Sequence, residues 1–290
     1  MSAILITGGT GFLGSRIAER LLAEGREVIL YSTNRGKRRR VAHIEGRVQV
    51  YSSLSEVFAR HTIAAIIHTA TVYGKDEGLS DLISTNLLLP VMLAEKAMQH
   101  SVKLFVNIDT FLGAETNAYA LSKKQLLPWL KMAKGSVSIV NLKTEMFYGE
   151  DDNPQRIIPS LIIKLLAEAE DIQLTSGEQV RDFIHVDDLA GLVCKVIAKA
   201  KAMSHGFYEY EVGYGSPLSI KELAQKLKKL TGNRSSRLSF GKIPYRKNEL
   251  MHAAPNIAKA KKDFSWEPTT SLEEGLKKVI AWERRGRKDE

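Results

Sequence analysis

The chain has a single cysteine, Cys194, among 290 residues. One thiol makes no intramolecular disulfide, which excludes a stapled secreted scaffold. No run approaches the roughly 18 uncharged apolar residues of a membrane span. The apolar opening Met1–Thr7 lacks a basic flank and runs at once into glycines, so it reads as a strand and not as a signal peptide. The expectation is a cytoplasmic chain with no membrane partner. Internal repeats and low-complexity tracts are lacking, and no metal is called for. Prolines are few, and six of the 8 (Pro154, Pro159, Pro217, Pro244, Pro255 and Pro268) fall after Gly149. What is present is ordinary for a folded protein: 44% hydrophobic and 26% charged residues sustain a buried core and exclude wholesale disorder. The length suits one large domain or two modest ones.

The formal net charge is +9, and the excess is uneven. Arg26, Arg35, Lys37, Arg38, Arg39, Arg40 and Arg47 face only Glu27 and Glu45 in one short stretch, a local +5. Three readings are open: a solvated loop, a nucleic-acid patch, or phosphate binding beside a cofactor. No helix-turn-helix, RNP or zinc-finger pattern accompanies the patch, so no nucleic-acid partner is expected.

The first half alternates strand and helix patterns. Uncharged apolar runs at Ala3–Thr7, Val28–Tyr31, Val48–Tyr51, Ile63–Thr69, Leu104–Ile108 and Val137–Leu142 read as strands. Helical periodicity marks Phe12–Glu24, Leu54–His61, Asp81–Gln99 and Ala118–Lys134, with Pro90 expected to interrupt or kink the third and Pro128 to kink the fourth. Strands without charge, separated by helices, predict a parallel sheet covered on both faces. After about Gly149 the rhythm loosens. Residues 1–148, joined by about 183–212, are expected to form a nucleotide-binding domain, and 149–290 a smaller, partly interleaved substrate lobe.

Gly8, Gly11 and Gly14 recur at intervals of three between the first strand and the first helix, in Thr7-Gly8-Gly9-Thr10-Gly11-Phe12-Leu13-Gly14. A tight turn, close approach to a pyrophosphate and helix–strand packing each need a residue without Cβ. The helix start offers free N–H groups and a positive dipole end to phosphate. The fold class expected is α/β, a Rossmann-type doubly wound parallel sheet binding a dinucleotide. No acid follows the second strand to take a ribose 2′-hydroxyl. Ser32, Asn34 and Arg35 stand there instead, which favours a 2′-phosphate and hence NADP(H).

Tyr119 and Lys123 lie four apart on a predicted helix, on one face. A nearby ammonium favours the phenolate, making Tyr119 a usable acid or base near neutrality.

Together these features resemble the extended short-chain dehydrogenases/reductases of the nucleotide-sugar epimerase/dehydratase group. The resemblance runs nearly end to end: Thr7–Gly14, Ile67-His68-Thr69-Ala70, Asn86, Val106–Thr110, Tyr119 with Lys123, Val180–Asp188, Tyr245–Glu249 and Trp266-Glu267-Pro268. It implies that Tyr119 donates a proton to a keto oxygen, that Thr110 hydrogen-bonds the same oxygen, and that Lys123 holds the cofactor ribose. It implies a cofactor bed of Gly8, Thr10, Gly11, Phe12, Leu13, Gly14, Thr69 and Ala70, and a substrate bed of Thr71, Tyr73, Asn86, Glu145, Arg181, Arg246 and Glu249. Arg181 and Arg246 match positions that grip diphosphate, and for each of them a structural ion pair, with Asp182 or Glu249, is the bland alternative. A homodimer through two long helices is also implied.

Segments such as Ile66–Gly74, Asn107–Phe111, Val140–Glu145, Thr175–Asp182 and Asn248–Met251 are similar to those of CDP-abequose- and CDP-paratose-forming reductases. The dehydratases of the group carry Asp-Glu after the Thr, but Phe111-Leu112 follow Thr110 here. Double epimerase–reductases need an extra Cys/His pair, and Cys194 lies far along the chain in an apolar helix pattern. The reading is NADPH-dependent reduction of the 4-keto group of a nucleotide-linked 6-deoxyhexose. A nucleotide-sugar 4-epimerase and a non-catalytic, cofactor-sensing or nucleic-acid-binding protein are the alternatives. The loop from Thr110 to Tyr119 holds only eight residues, shorter than relatives usually have.

Overall fold

The computed structural model describes residues 2–33, 38–74 and 77–286. The chain opens with β1 (Ala3–Thr7), α1 (Phe12–Ala23), β2 (Val28–Tyr31), a 3₁₀ segment (Arg39–Arg47), β3 (Gln49–Tyr51), α2 (Leu54–Arg60) and β4 (Ile63–His68). Then come α3 (Leu79–Ile83), a π turn (Ser84–Leu88), α4 (Leu89–Gln99), β5 (Leu104–Thr110), α5 (Ala118–Met132) and β6 (Ser138–Thr144). The second half runs β7 (Met146–Tyr148), α6 (Ile157–Leu166), β8 (Asp171–Gln173), β9 (Val180–Arg181), β10 (Phe183–His185), α7 (Val186–Lys199) and β11 (Gly206–Val212). It ends with β12 (Leu218–Ser219), α8 (Ile220–Thr231), β13 (Arg237–Ser239), α9 (Ala258–Phe264) and α10 (Leu272–Arg284).

Two compact units result. The first comprises Met1–Thr144, Ala190–Glu211 and Ala258–Trp266; the second comprises Glu145–Leu189, Val212–Ile257 and Glu267–Glu290. In the first, seven strands form one sheet in the order β11-β6-β5-β4-β1-β2-β3. The pairs from β3 to β6 are all parallel. Leu5, Ile29, Ile66, Phe105 and Ile139 fill one face of this sheet against Leu93 and Ala97 of α4 and Leu126 and Leu130 of α5. The strand order reverses at β1–β4, and in such sheets ligands bind beyond the carboxyl ends of the strands at that switch point. α9 returns late to this unit, where Tyr210 of β11 donates to Asp263 (3.0 Å) and stacks on Phe264.

The second unit buries Ile158, Leu161, Ile162 and Leu165 of α6 against Leu223 and Leu227 of α8 and Leu276 and Val279 of α10. Both α8 and α10 start from reciprocal capping boxes, Ser219 with Glu222 and Ser271 with Glu274. Short strand pairs β7–β10, β8–β13 and β9–β12 complete it.

Of the two long helices, one follows the sequence reading at its proline and the other departs from it. Asp81–Gln99, expected to be interrupted or kinked near Pro90, is interrupted there: α3 passes through a π turn into α4. Pro90 has no N–H for the carbonyl of Asn86, and the chain widens instead, with Leu89 N–H donating to Ser84 O. α5 runs unbroken through Pro128, which costs it the bond to the Lys124 carbonyl. The basic stretch, for which a solvated loop was one of three readings, is 3₁₀ over Arg39–Arg47, with Val41 and Ile44 buried.

Candidate active site

The Gly8–Gly14 turn is pressed between β2 and the exit of β4. Gly8 sits at φ +68°, and the Gly11 amide closes the turn on the Gly8 carbonyl at 2.9 Å. A Cβ on Gly8 would lie 2.6 Å from the Ala70 nitrogen, one on Gly9 2.5 Å from Leu30, and one on Gly14 2.3 Å from the Gly8 oxygen. α1 then begins with no side chain capping it and no acid in its first turn. The amides of Leu13 and Gly14 have no intrahelical acceptor, and the dipole adds a positive end. A cradle this bare of Cβ atoms fits the pyrophosphate of a dinucleotide. Thr10, Gly11 and Phe12 are half-buried along it, and Thr69 fastens its hydroxyl to the Thr7 carbonyl (2.7 Å), keeping Ala70 against the turn. Ser32 follows β2, half-buried, its amide on the Tyr51 carbonyl. Asn34 and Arg35 lie outside the described residues.

β5 delivers Thr110 at its carboxyl end, buried, with Oγ1 accepting from the Leu112 amide at 3.2 Å. That leaves the hydroxyl proton of Thr110 available to a ligand. α5 starts where Asn117 caps the Ala120 amide (2.8 Å) and carries Tyr119 and Lys123 one turn apart. Tyr119 is half-buried and packs at 5.0 Å, tilted 41°, on the exposed Tyr73. Lys123 is 2% exposed. No hydrogen bond or ion pair to its ammonium is found among the described residues. Burial lowers its pKa to about 8; Asp109 opposes the shift and Lys124 adds to it. His68, wholly buried on β4 and bonded to Thr7 at 2.8 Å, is pushed well below the usual histidine range by burial and by Lys123.

Asn86 spends both amide protons inside the protein, on the Val72 carbonyl (2.8 Å) and on Ser122 (3.1 Å), while its oxygen takes the Val72 amide (2.9 Å). Ser122 in turn donates to the Tyr119 carbonyl (2.7 Å). The π turn thus uses Asn86 to tie the loop after β4 to the first turns of α5. Thr71 is half-buried in that loop.

In the second unit Arg181 is buried and claimed on three sides. Its Nη2 meets Glu249 at 2.7 Å, its Nε lies 3.4 Å from Glu145, and its Nη1 donates to the Val180 carbonyl at 2.8 Å. Burial raises Glu145 to about 7 against the pull of Arg181, and Asp182 pushes the same way as burial. Asp182 itself accepts from the Tyr214 and Gly215 amides, so it is not the partner of Arg181. Arg246 is exposed in the turn it forms with Glu249. Cys194 is buried in α7, and burial pushes its thiol up to about 12, which makes it a packing residue.

Sequence reading missed a polar row beneath Tyr119 and Lys123. Asn107 donates to Asn141 (2.7 Å), Asn141 to Asp109 (3.1 Å) and Glu209 (3.0 Å), and Lys124 to Asp109 (2.9 Å). Its signal was the period-two spacing of Asn107 and Asp109 in an otherwise apolar strand, which places both on one face.

Among the described residues no helix is long and apolar enough to cross a membrane. The chain is 29% identical to the CDP-abequose synthase of Salmonella muenchen over 96% of its own length and 97% of the relative's. It is 26% identical to the UDP-glucuronate 4-epimerase of Thermodesulfobacterium geofontis, over 98% of this chain and 97% of that one. The crystal structure of Thermotoga maritima UDP-glucose 4-epimerase with UDP-glucose superimposes with a TM-score of 0.85 at 23% identity, covering 98% of this chain and 99% of the other, a likeness of fold. With residues 4–213 matching its profile, the chain belongs to the NAD dependent epimerase/dehydratase family of nucleotide-sugar-modifying enzymes.

Proposed function

We propose that the protein reduces the 4-keto group of a nucleotide-linked 6-deoxyhexose, carried on CDP or UDP, with NADPH. The observation that carries this reading is the buried Lys123 ammonium, unpaired among the described residues and one turn from Tyr119, beside a strand end whose Thr110 is followed by no acid or base. The likeness to a CDP-abequose synthase supports the substrate class.

The first unit takes the dinucleotide and the second the nucleotide sugar. When bound, the nicotinamide supplies the hydride. Tyr119 gives its phenolic proton to the keto oxygen as that oxygen gains charge, and the Thr110 hydroxyl donates to the same atom. Lys123 donates to the ribose hydroxyl oxygens, and its charge steadies the phenolate left on Tyr119. By the family resemblance Thr71 and Tyr73 of the first unit, and Glu145 of the second, are assigned to the sugar, and Asn86 orders the first turns of α5. Arg246 and Arg181 take the diphosphate, Arg181 by exchanging the Glu249 carboxylate for a phosphate oxygen.

A panel of CDP-, UDP-, dTDP- and GDP-4-keto-6-deoxy sugars, followed by NADPH absorbance, tests this. Stoichiometric NADPH consumption with one of them is the expected result. Interconversion of UDP-hexoses with no net cofactor turnover would establish the 4-epimerase reading, which the second relative favours.

The cofactor preference rests on Ser32, Asn34 and Arg35 and on the basic stretch that follows them. Each charge-assisted bond to a 2′-phosphate contributes about 1.5–3 kcal/mol, or roughly 10- to 100-fold in affinity. NADPH is therefore expected to bind at least about tenfold tighter than NADH by fluorescence titration; equal affinities would sink this step.

The expected homodimer pairs the Asp81–Gln99 and Ala118–Lys134 segments with those of a second copy. Leu88 and Met92, with Trp129 and Met132, leave apolar side chains exposed there, Met132 at 78%. Light scattering should give a dimer for the parent and a monomer for the Trp129→Glu/Met132→Glu variant. A monomeric parent at micromolar concentration would refute the pairing.

A further inference from the structure

We propose that Lys124 and Asp109 are a positioning pair for the Tyr119–Lys123 chemistry: one ion pair that fastens the end of β5 to α5 and fixes the field at the Lys123 ammonium. The inference rests on the catalytic reading above and extends it to two residues outside the Tyr–Lys–Thr set.

The geometry is a staple around one peptide. The Asp109 carboxylate, wholly buried, takes the Thr110 amide on Oδ1 at 2.7 Å and the Lys124 ammonium on Oδ2 at 2.9 Å. The same ammonium donates to the Thr110 carbonyl at 2.6 Å. Both polar groups of the Thr110 backbone are thereby held by the pair, and Thr144 bonds the Asp109 carbonyl behind it (3.0 Å). Thr110 is the residue that reaches the substrate oxygen, and Lys124 is the next residue after Lys123. With eight residues between Thr110 and Tyr119, the pair closes a short loop at its base and sets the distance between the two proton-bearing groups.

The same charges act on Lys123. Asp109 favours its charged form and Lys124 disfavours it. His68 on β4 is close enough for Lys123 to help hold it neutral, Tyr119 lies one turn back on the same helix, and Glu209 on β11 reaches Asp109 only through Asn141. Asp109 also accepts from Asn141, so it keeps two donors when Lys124 is lost. Removing one member of the pair leaves the other's field uncompensated at Lys123. The two removals must therefore act with opposite sign.

Lysine Cε resonances of selectively ¹³C-labelled protein, with Lys123 assigned by its loss in Lys123→Arg, read this without substrate or cofactor. The Lys123 titration midpoint is expected to fall in Asp109→Asn and to rise in Lys124→Met, each by roughly half a pH unit or more, and to return toward the parent in the double variant. The alkaline limb of the pH–kcat profile should move in the same two directions, and Lys124→Arg should keep kcat within about threefold of the parent. Midpoints that stay put, or move the same way in both variants, would overturn the proposal and leave only a structural tie. Should Asp109→Asn not fold, Lys124→Met against Lys124→Arg decides it alone. The NMR result is independent of turnover, so an inactive enzyme with opposed midpoints would indict the catalytic reading and not the pair.

Discussion

Tyr119→Phe is expected to lower turnover of the 4-keto sugar by roughly 10²–10⁴ while NADPH binding stays within about twofold of the parent. The substitution deletes one oxygen and keeps the ring. That ring packs on Tyr73, and the fixed backbone around it is set elsewhere, by the Asn117 cap and by Ser122 on the Tyr119 carbonyl. The helix therefore holds its course, and Lys123 stays where burial puts it. What is lost is the proton for the nascent alkoxide and the phenolate that Lys123 steadies. Thr110 can still donate a hydrogen bond but cannot replace the acid, because an alcohol is a far weaker proton donor than a phenol. The loss should appear in kcat and kcat/KM together, the signature of an interaction made in the transition state. Undiminished turnover with intact folding would remove Tyr119 from the chemistry.

The parts of this site that sequence made legible are those built from neighbours in the chain. Gly8, Gly11 and Gly14 announce a turn because their lack of Cβ is a local requirement, and at Gly8 the positive φ and the closeness of Ala70 bear on the same residue. Tyr119 and Lys123 share a face because a helix repeats every 3.6 residues. The parts that stayed hidden depend on what lies across the fold. The ion pair of Arg181 with Glu249 is among the expected alternatives, but nothing local says that Glu145, 36 residues before it, closes on Arg181 from another side. Nor does helical periodicity signal a π turn: the resemblance singles out Asn86, but its partners Val72 and Ser122 appear only with the wide turn ahead of Pro90. Lys124 and Asp109 each read as an isolated charge, and only the packing of α5 on β5 makes them a pair.

Gly14→Ala should raise the NADPH Kd by about 100-fold, a loss of about 2.7 kcal/mol. The new Cβ would stand 2.3 Å from the Gly8 carbonyl oxygen, 2.8 Å from Gly9 Cα and 2.8 Å from the Thr69 hydroxyl. Two of these are backbone atoms, so relief requires the turn itself to move. The Gly8 carbonyl also receives the Gly11 amide, and displacing it opens the bond that shapes the cradle. Crowding of this kind costs about 1–3 kcal/mol of stability, which lowers Tm as well. Gly25→Ala separates the two effects. Gly25 follows α1 at φ +72°, and a methyl added there would meet nothing within 4 Å, so the variant suffers backbone strain of about 1–2 kcal/mol and no clash. It should lose stability comparably and bind NADPH as the parent does. If Gly14→Ala retained parental NADPH affinity, the glycine turn would be no pyrophosphate cradle, and the buried Lys123 would have no ribose to hold.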